Sequence, residues 1–155
     1  MNPEKIKILL VDDEPDILEI ITYSLENAGY EIHTATNGIE AVEKASKIEP
    51  HLIVLDVMMP KMDGIEACEI IRNNPKTKNI LITFLTARGE DYSQIAGFNA
   101  GADDYITKPI KPKILLSKVK SLLRRMTINK DQIIQFEDLI IDRSSYKVLY
   151  KGEKI

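Results

Sequence analysis

The feature that most constrains this chain is the arrangement of its apolar residues. Three short runs, Ile6 to Val11, Leu52 to Leu55 and Ile80 to Leu85, are apolar almost without interruption. Strands covered on both faces of a parallel sheet read this way. Between the runs lie stretches with helical spacing. Ile17, Leu18, Ile21, Leu25 and Ala28 form one stripe, closed by Gly29 where a left-handed C-terminal residue is expected. Ala41, Val42, Ala45 and Ile48 form a second, opened by Asn37 with Glu40 three residues on, a pairing that satisfies free N-terminal amides. A third helix is expected from Asp63, with Glu66 in the matching position, to about Asn73. Residues 91–100 carry a weaker helical pattern, because Gly97 and Asn99 are poor helix formers. A last helix, from Pro112 to about Met126, sets Leu115, Leu116, Val119, Leu122 and Leu123 on one side and basic residues on the other. Two less apolar strands, Glu31 to Ala35 and Asp104 to Thr107, complete the alternation.

Strand and helix thus alternate over residues 5–126, which predicts an α/β fold with a parallel sheet, helices on both faces and right-handed crossovers. Placing the two least apolar strands at the edges gives a doubly wound five-stranded sheet of order 2-1-3-4-5 rather than a six-stranded dinucleotide fold. The topology then reverses between the first and third strands, and ligands should bind beyond the C-terminal ends of those strands. Asp12, Asp13 and Asp56 fall there. The tail differs in kind: residues 133–150 read as two antiparallel strands joined by a turn at Arg143-Ser144-Ser145. A lone hairpin is marginal in water, so this C-terminal antiparallel fragment needs further partners.

A length of 155 residues holds one well-cored domain and a fragment of a second. The net charge of −3 exerts no general pull toward nucleic acid or an anionic membrane. Cys68 is the single cysteine, and with His33 and His51 far apart there is neither a disulfide nor a zinc-ligand spacing, which fits a reducing cytoplasm. The N-terminus lacks the uncharged stretch of a signal peptide, and no run approaches the roughly 18 apolar residues of a membrane span.

Three carboxylates from remote positions, Asp12, Asp13 and Asp56, converge on one crevice. Without a cation their repulsion would raise a pKa or splay the loops. Mg²⁺ removes the conflict, since it takes hard oxygen ligands and often shares them with phosphate. The alternative for Asp12 and Asp13 is capping of the helix that opens at Pro15. Lys108 ends the fifth strand and Thr86 the fourth. A strand-end lysine is ordinarily solvated, and a threonine can cap the segment after it. The coincidence favours chemistry, because all five residues sit on the same edge of the sheet. Phosphoryl transfer to a carboxylate needs a nucleophile, a metal, and fixed groups for the remaining charge. Asp56 is the candidate nucleophile, Lys108 would meet the transferred charge, and Thr86 would donate to a phosphoryl oxygen as the readout. Tyr105 either responds with it or simply packs.

Val11-Asp12-Asp13-Glu14, Leu55-Asp56-Val57-Met58-Met59-Pro60 with Asp63-Gly64, Leu85-Thr86-Ala87, and Gly101-Ala102-Asp103-Asp104-Tyr105-Ile106-Thr107-Lys108-Pro109 resemble, in combination, the receiver domain of response regulators. The resemblance implies a flavodoxin-like fold that accepts a phosphoryl group from a histidine kinase or acetyl phosphate, as a switch rather than a conventional enzyme. It implies Asp56 as acceptor, with Asp13, Asp56 and the Met58 backbone carbonyl on Mg²⁺, Mn²⁺ as a substitute ion, and Asp12 acting through metal-bound water. Lys108, Thr86 and the Ala87 backbone N–H would hold the phosphoryl group, Thr86 and Tyr105 would switch, and the Lys108-Pro109 bond would be cis. The tail resembles the N-terminal antiparallel sheet of the winged-helix effector in OmpR/PhoB-type transcription factors. This implies a receiver over residues 1–126, a linker over 127–132 and an effector fragment over 133–155, truncated before any recognition helix. DNA contact would then need the missing part. Such regulators dimerise through the fourth helix, fifth strand and fifth helix. Asp104 and Lys118 supply one expected charge pair, while Gln94, Asn99 and Ile114 depart from the pattern and leave Lys120 without its acidic partner. That implies a weakened or differently held homodimer.

Three rivals are weaker. A haloacid-dehalogenase-type phosphatase would carry an acid two residues after the nucleophile, where Met58 stands. A flavin carrier would need a Ser-, Thr- or Gly-rich loop after the first strand, and Asp12-Asp13-Glu14-Pro15 would repel phosphate. A phosphorylation-independent interaction module would not need the intact acid, threonine and lysine set. Lys111, Lys113, Lys118, Lys120, Arg124 and Arg125 read as a solvated helix face, the last arginines complementing the helix C-terminus. Cys68 reads as a small packed side chain.

Overall fold

The three apolar runs become the three central strands of one sheet. The computed structural model describes residues 5–86 and 100–139, with side chains to Arg125. Strands β1 (Lys7–Val11), β2 (Glu31–Ala35), β3 (Leu52–Asp56), β4 (Leu81–Thr86) and β5 (Asp104–Thr107) pair in parallel in the order β2-β1-β3-β4-β5. β3 lies at the centre and is buried at every position, whereas β2 and β5 are mostly half-buried edges, as their composition predicts. Register is set by Leu9 opposite Ile53 and Ile53 opposite Ile82, which carries Asp56 level with Leu85.

Side chains alternate across the sheet. Leu9, Val11, Ile53, Leu55, Ile82 and Phe84 share one core with Ala41, Ala45, Ala67, Cys68 and Ile71. Those partners belong to helices α2 (Gly38–Ile48) and α3 (Gly64–Arg72). The alternate residues Ile8, Leu10, Leu52, Val54 and Leu85 are equally buried but lie outside that cluster. Helix α1 (Pro15–Asn27) packs on β1 and β2 with Ile21 and Leu25 buried, covering that second face.

The caps match the sequence signals. The Asn37 side chain accepts from the Glu40 N–H at 2.9 Å, and the Glu40 carboxylate reaches back to the Thr36 N–H at 2.6 Å. Asp63 accepts from the Glu66 N–H at 2.8 Å and opens α3. Gly29, just past α1, has φ +101°, the left-handed conformation expected of it.

The C-terminal helix corrects the sequence reading. It runs from Pro112 to Leu139 rather than stopping near Met126. Residues 127–132, read as a linker, and 133–139, read as the start of a strand, are therefore helical. No glycine or proline interrupts the chain between Lys113 and Leu139, and Ile133, Phe136 and Leu139 recur every third residue, so the apolar pattern suits a helix as well as a strand. Residues 140–150 of the expected hairpin lie outside the described residues, as do 91–99 of the weak helix. Compactness divides the chain after Ser117; the second unit begins at Lys118 within this helix, and Asp12, Asp13, Asp56, Thr86 and Lys108 all belong to the first. Among the described residues no helix is long and apolar enough to cross a membrane.

Candidate functional site

The site forms where β1, β3, β4 and β5 end. Asp12 leaves β1 with its N–H on the Ala35 carbonyl at 3.1 Å. Its Oδ1 accepts the Glu14 N–H at 2.9 Å, which turns the side chain inward to 1% exposure. Neither Asp12 nor Asp13 is the N-cap of α1, which is Glu14, and the local role of Asp12 is limited to that one bond to the Glu14 N–H. Asp13 stays exposed beside it.

Asp56 closes β3 and is 4% exposed. The strand end is fixed by the Val57 N–H on Leu85 O at 3.1 Å and the Gly64 N–H on Val57 O at 2.8 Å. Gly64 is required for that approach: a Cβ there would lie 2.2 Å from the Asp56 carbonyl oxygen. Oxygens of Asp12, Asp13 and Asp56 then all fall within 4.8 Å of one another.

Lys108 follows β5, its N–H on the Thr86 carbonyl at 2.6 Å, and its peptide bond to Pro109 is cis as the resemblance implied. Its Nζ stands 3.3 Å from Asp12 Oδ2 and 3.3 Å from Asp56 Oδ2, and its side chain is only 21% exposed, so it is not a solvated strand-end lysine. The Thr86 hydroxyl is buried with no hydrogen-bond partner among the described residues, and the segment it could cap lies outside them.

Burial, and next the charge of Asp12, push the Asp56 carboxyl up to about 6, against the opposing pull of Lys108 and a hydrogen bond from the Met58 backbone N–H. Burial alone would lower the Lys108 ammonium. The carboxylates of Asp56 and Asp12 more than reverse this, so its pKa is raised. Two buried acids thus share one cation, and the acidic charge remains incompletely balanced. Opposite ligands of an octahedral ion at about 2.1 Å are roughly 4.2 Å apart. The 4.8 Å spread of the three carboxylates is close to that distance, and the all-oxygen donor set suits a hard divalent ion.

The remaining expected residues occupy varied settings. The Met58 side chain is exposed while its backbone stays beside Asp56. Tyr105 is partly buried and packs against the α2–α3 core cluster. Asp104 and Lys118 are half-buried, and Ala87 lies outside the described residues. Cys68 is a packed core residue whose thiol burial pushes up to about 11. His51, given no role from sequence, accepts the Lys7 N–H on Nδ1 at 3.0 Å and ties β1 to the start of β3. Sequence reasoning also missed Arg72 as a ligand of Asp103, which it meets at 3.0 Å. The only signal was Asp103 within the Gly101-Ala102-Asp103 motif, which does not name its partner.

Comparison with known proteins agrees with this geometry. Residues 8–120 match the response regulator receiver domain. The alkaline phosphatase synthesis transcriptional regulatory protein PhoP of Bacillus subtilis is 48% identical over 122 residues, covering 79% of this chain and 50% of that protein. The transcriptional regulatory protein SrrA of Staphylococcus aureus is 39% identical over 157 residues, 96% of this chain and 64% of its own length. Among solved structures, the chemotaxis response regulator CheY4 of Vibrio cholerae superposes with a TM-score of 0.72 at 34% identity, covering 76% of this chain and 98% of that one. The chain spans about half the length of curated relatives such as PhoP. With the sheet order, the acidic cluster and the match over residues 8–120 in agreement, this chain belongs to the response regulator receiver domain family of two-component signalling.

Proposed function

We propose that the chain works as a phosphorylation switch in which Asp56 takes a phosphoryl group from the phosphohistidine of a histidine kinase, or from a small acyl phosphate such as acetyl phosphate. One observation carries this reading: Asp12, Asp13 and Asp56, distant in sequence, gather within 4.8 Å while Lys108 stands 3.3 Å from two of them. An Asp56 oxygen forms a bond to phosphorus as the P–N bond of phosphohistidine, or the P–O bond of acetyl phosphate, breaks. The imidazole nitrogen keeps the electron pair and is protonated by solvent; acetate leaves as the anion.

Asp13, Asp56 and the Met58 carbonyl would hold Mg²⁺, or Mn²⁺ in its place, with Asp12 reaching it through water. Bound there, the ion supplies charge neutralisation for the phosphoryl oxygens. Lys108 exchanges its contact with Asp56 for one with the incoming oxygens. The unpartnered Thr86 hydroxyl donates to another, alongside the Ala87 backbone N–H. Moving Thr86 draws Tyr105 and β5, with Asp104, after it, which would alter the surface through which copies of the chain would pair. Hydrolysis of the acyl phosphate resets the switch, so no outside substrate is turned over beyond the phosphodonor.

The relatives' names point to control of transcription as the output, with DNA contacted through an effector domain. That the chain continues past the receiver into the beginning of that domain, over residues 133–155, is supported by the SrrA alignment, which extends over 96% of this chain, although residues 127–139 continue the C-terminal helix instead of forming a linker and a strand. Intact mass after incubation with acetyl phosphate and Mg²⁺ tests the switch. A single added phosphoryl group, labile to hydroxylamine and lost in Asp56→Asn or in EDTA, is the expected result. The same gain in Asp56→Asn removes Asp56 as acceptor.

A further inference from the structure

We infer that Arg72 and Asp103, at the end of the sheet opposite the acidic cluster, form a positioning pair that sets Lys108 against Asp56 through strand β5. The inference rests on the role proposed for Lys108 in phosphoryl transfer.

β5 has only four residues and a single neighbour, β4. It pairs with β4 along its whole length, and further bonds fix its two ends. At its C-terminal end the Lys108 N–H bonds Thr86 O at 2.6 Å. At its N-terminal end the Asp103 N–H bonds Ile82 O at 2.8 Å, and Asp103 Oδ2 accepts the Ile82 N–H at 2.8 Å. That same oxygen accepts Arg72 Nη2 at 3.0 Å.

Arg72 is the last residue of α3, and its remaining guanidinium nitrogens are also engaged. Nε donates to Gly101 O at 2.8 Å, while Nη1 donates to Ile80 O at 2.6 Å and to Lys78 O at 3.1 Å. One planar fork therefore joins the end of α3, the residues before β4 and the residues before β5. Its fixed geometry is what a lysine at this place would lack. Gly101 is shaped to admit it, with φ +105° and the Arg72 Cγ 3.0 Å from where a Cβ would stand. Slippage of β5 by one residue would turn its side chains to the opposite face. The pair resists that slippage from about five residues away, without touching the site. Asp12, Asp13 and Asp56 hang on β1 and β3 and do not depend on it.

This separation gives a signature that general loosening of the fold would not. Lys108 is the cation that competes with a metal ion for Asp12 and Asp56. If Arg72→Ala lets Lys108 drift, Mg²⁺ should bind several-fold more tightly while phosphorylation by acetyl phosphate slows by on the order of tenfold. Nonspecific loosening would weaken both. The experiment is calorimetric Mg²⁺ titration and phosphorylation of the whole chain for wild type, Arg72→Ala, Asp103→Asn, Lys108→Ala and Arg72→Ala/Lys108→Ala. Tighter Mg²⁺ binding in Arg72→Ala, a smaller change of the same sign in Asp103→Asn, and no further effect of Arg72→Ala once Lys108 is absent are expected. Should Arg72→Ala fail to fold, Asp103→Asn, which keeps the three backbone bonds of Arg72, carries the same comparison. Unchanged or weaker Mg²⁺ binding in the Arg72 or Asp103 variants overturns the inference. A wild-type chain that takes up no phosphoryl group overturns the proposed function itself, so the two failures are distinct.

Discussion

Asp56→Asn should make the metal-free protein more stable, although it removes the group on which the proposed function depends. The native environment raises the Asp56 carboxyl from an ordinary 3.8 to about 6, through burial first and then the charge of Asp12. At about 1.36 kcal/mol per pKa unit, keeping it ionised near neutral pH costs the folded state about 3 kcal/mol. The sign comes from proton linkage. A carboxyl with a raised folded pKa binds more protons when folded, so its stabilising contribution is complete below about pH 4 and is lost as pH rises through about 6. Asparagine keeps the shape without the charge and leaves Lys108 its 3.3 Å partner Asp12. In EDTA at pH 7.5 the variant should melt higher by roughly 6–12 °C, and the two proteins should converge at about pH 4. Mg²⁺ at about a hundred times its Kd should return roughly 2.7 kcal/mol to wild type alone and erase most of the gap. Differential scanning calorimetry across pH, with and without Mg²⁺, measures all of this. A variant less stable than wild type in EDTA at pH 7.5, or a difference that does not change with pH, would refute the electrostatic reasoning.

The same geometry sets further outcomes. Lys108→Ala should tighten Mg²⁺ binding, since a competing cation is gone, while lowering the phosphorylation rate by about 10²-fold or more; calorimetry and intact-mass time courses check the opposite signs. Thr86→Val replaces a buried hydroxyl that has no partner among the described residues with a methyl group and should raise unphosphorylated stability by about 1 kcal/mol while abolishing any conformational response to phosphorylation, read by denaturant melts and limited proteolysis. Gly64→Ala forces a Cβ against the Asp56 carbonyl and should cost about 1–3 kcal/mol together with slower phosphorylation, whereas Asn37→Ala, which removes only the cap of α2, should cost about 1 kcal/mol and slow phosphorylation less.

The sheet was legible because its central strands are apolar throughout and its edges are not, so composition puts β2 and β5 at the edges and the common doubly wound topology supplies the order between them. Caps at Asn37 and Asp63 were legible because their partners lie three residues away. That Asp12, Asp13, Asp56 and Lys108 meet was legible, since strand ends fall on one edge once the topology is fixed. The electrostatics of the site were not: that Lys108 is withdrawn from solvent and bridges two acids depends on how β5 meets β4, over a sequence separation no local pattern spans. Arg72 was hidden for the same reason, as an arginine closing a helix looks like a dipole partner until Gly101 and Asp103 are brought to it. The helix beyond Met126 is hard to read because Ile133 to Leu139 satisfies both periodicities, and β-propensity favours a strand where no helix breaker stands.

Mapping the phosphoryl site tests the account most directly. After acetyl phosphate and Mg²⁺, borohydride reduction should convert the one acyl phosphate to homoserine, and peptide mass spectrometry should find that change at position 56 and nowhere else. Label on Asp12 or Asp13, or equal labelling in EDTA, would contradict the claim that a divalent ion gathers these acids so that Asp56 accepts the group.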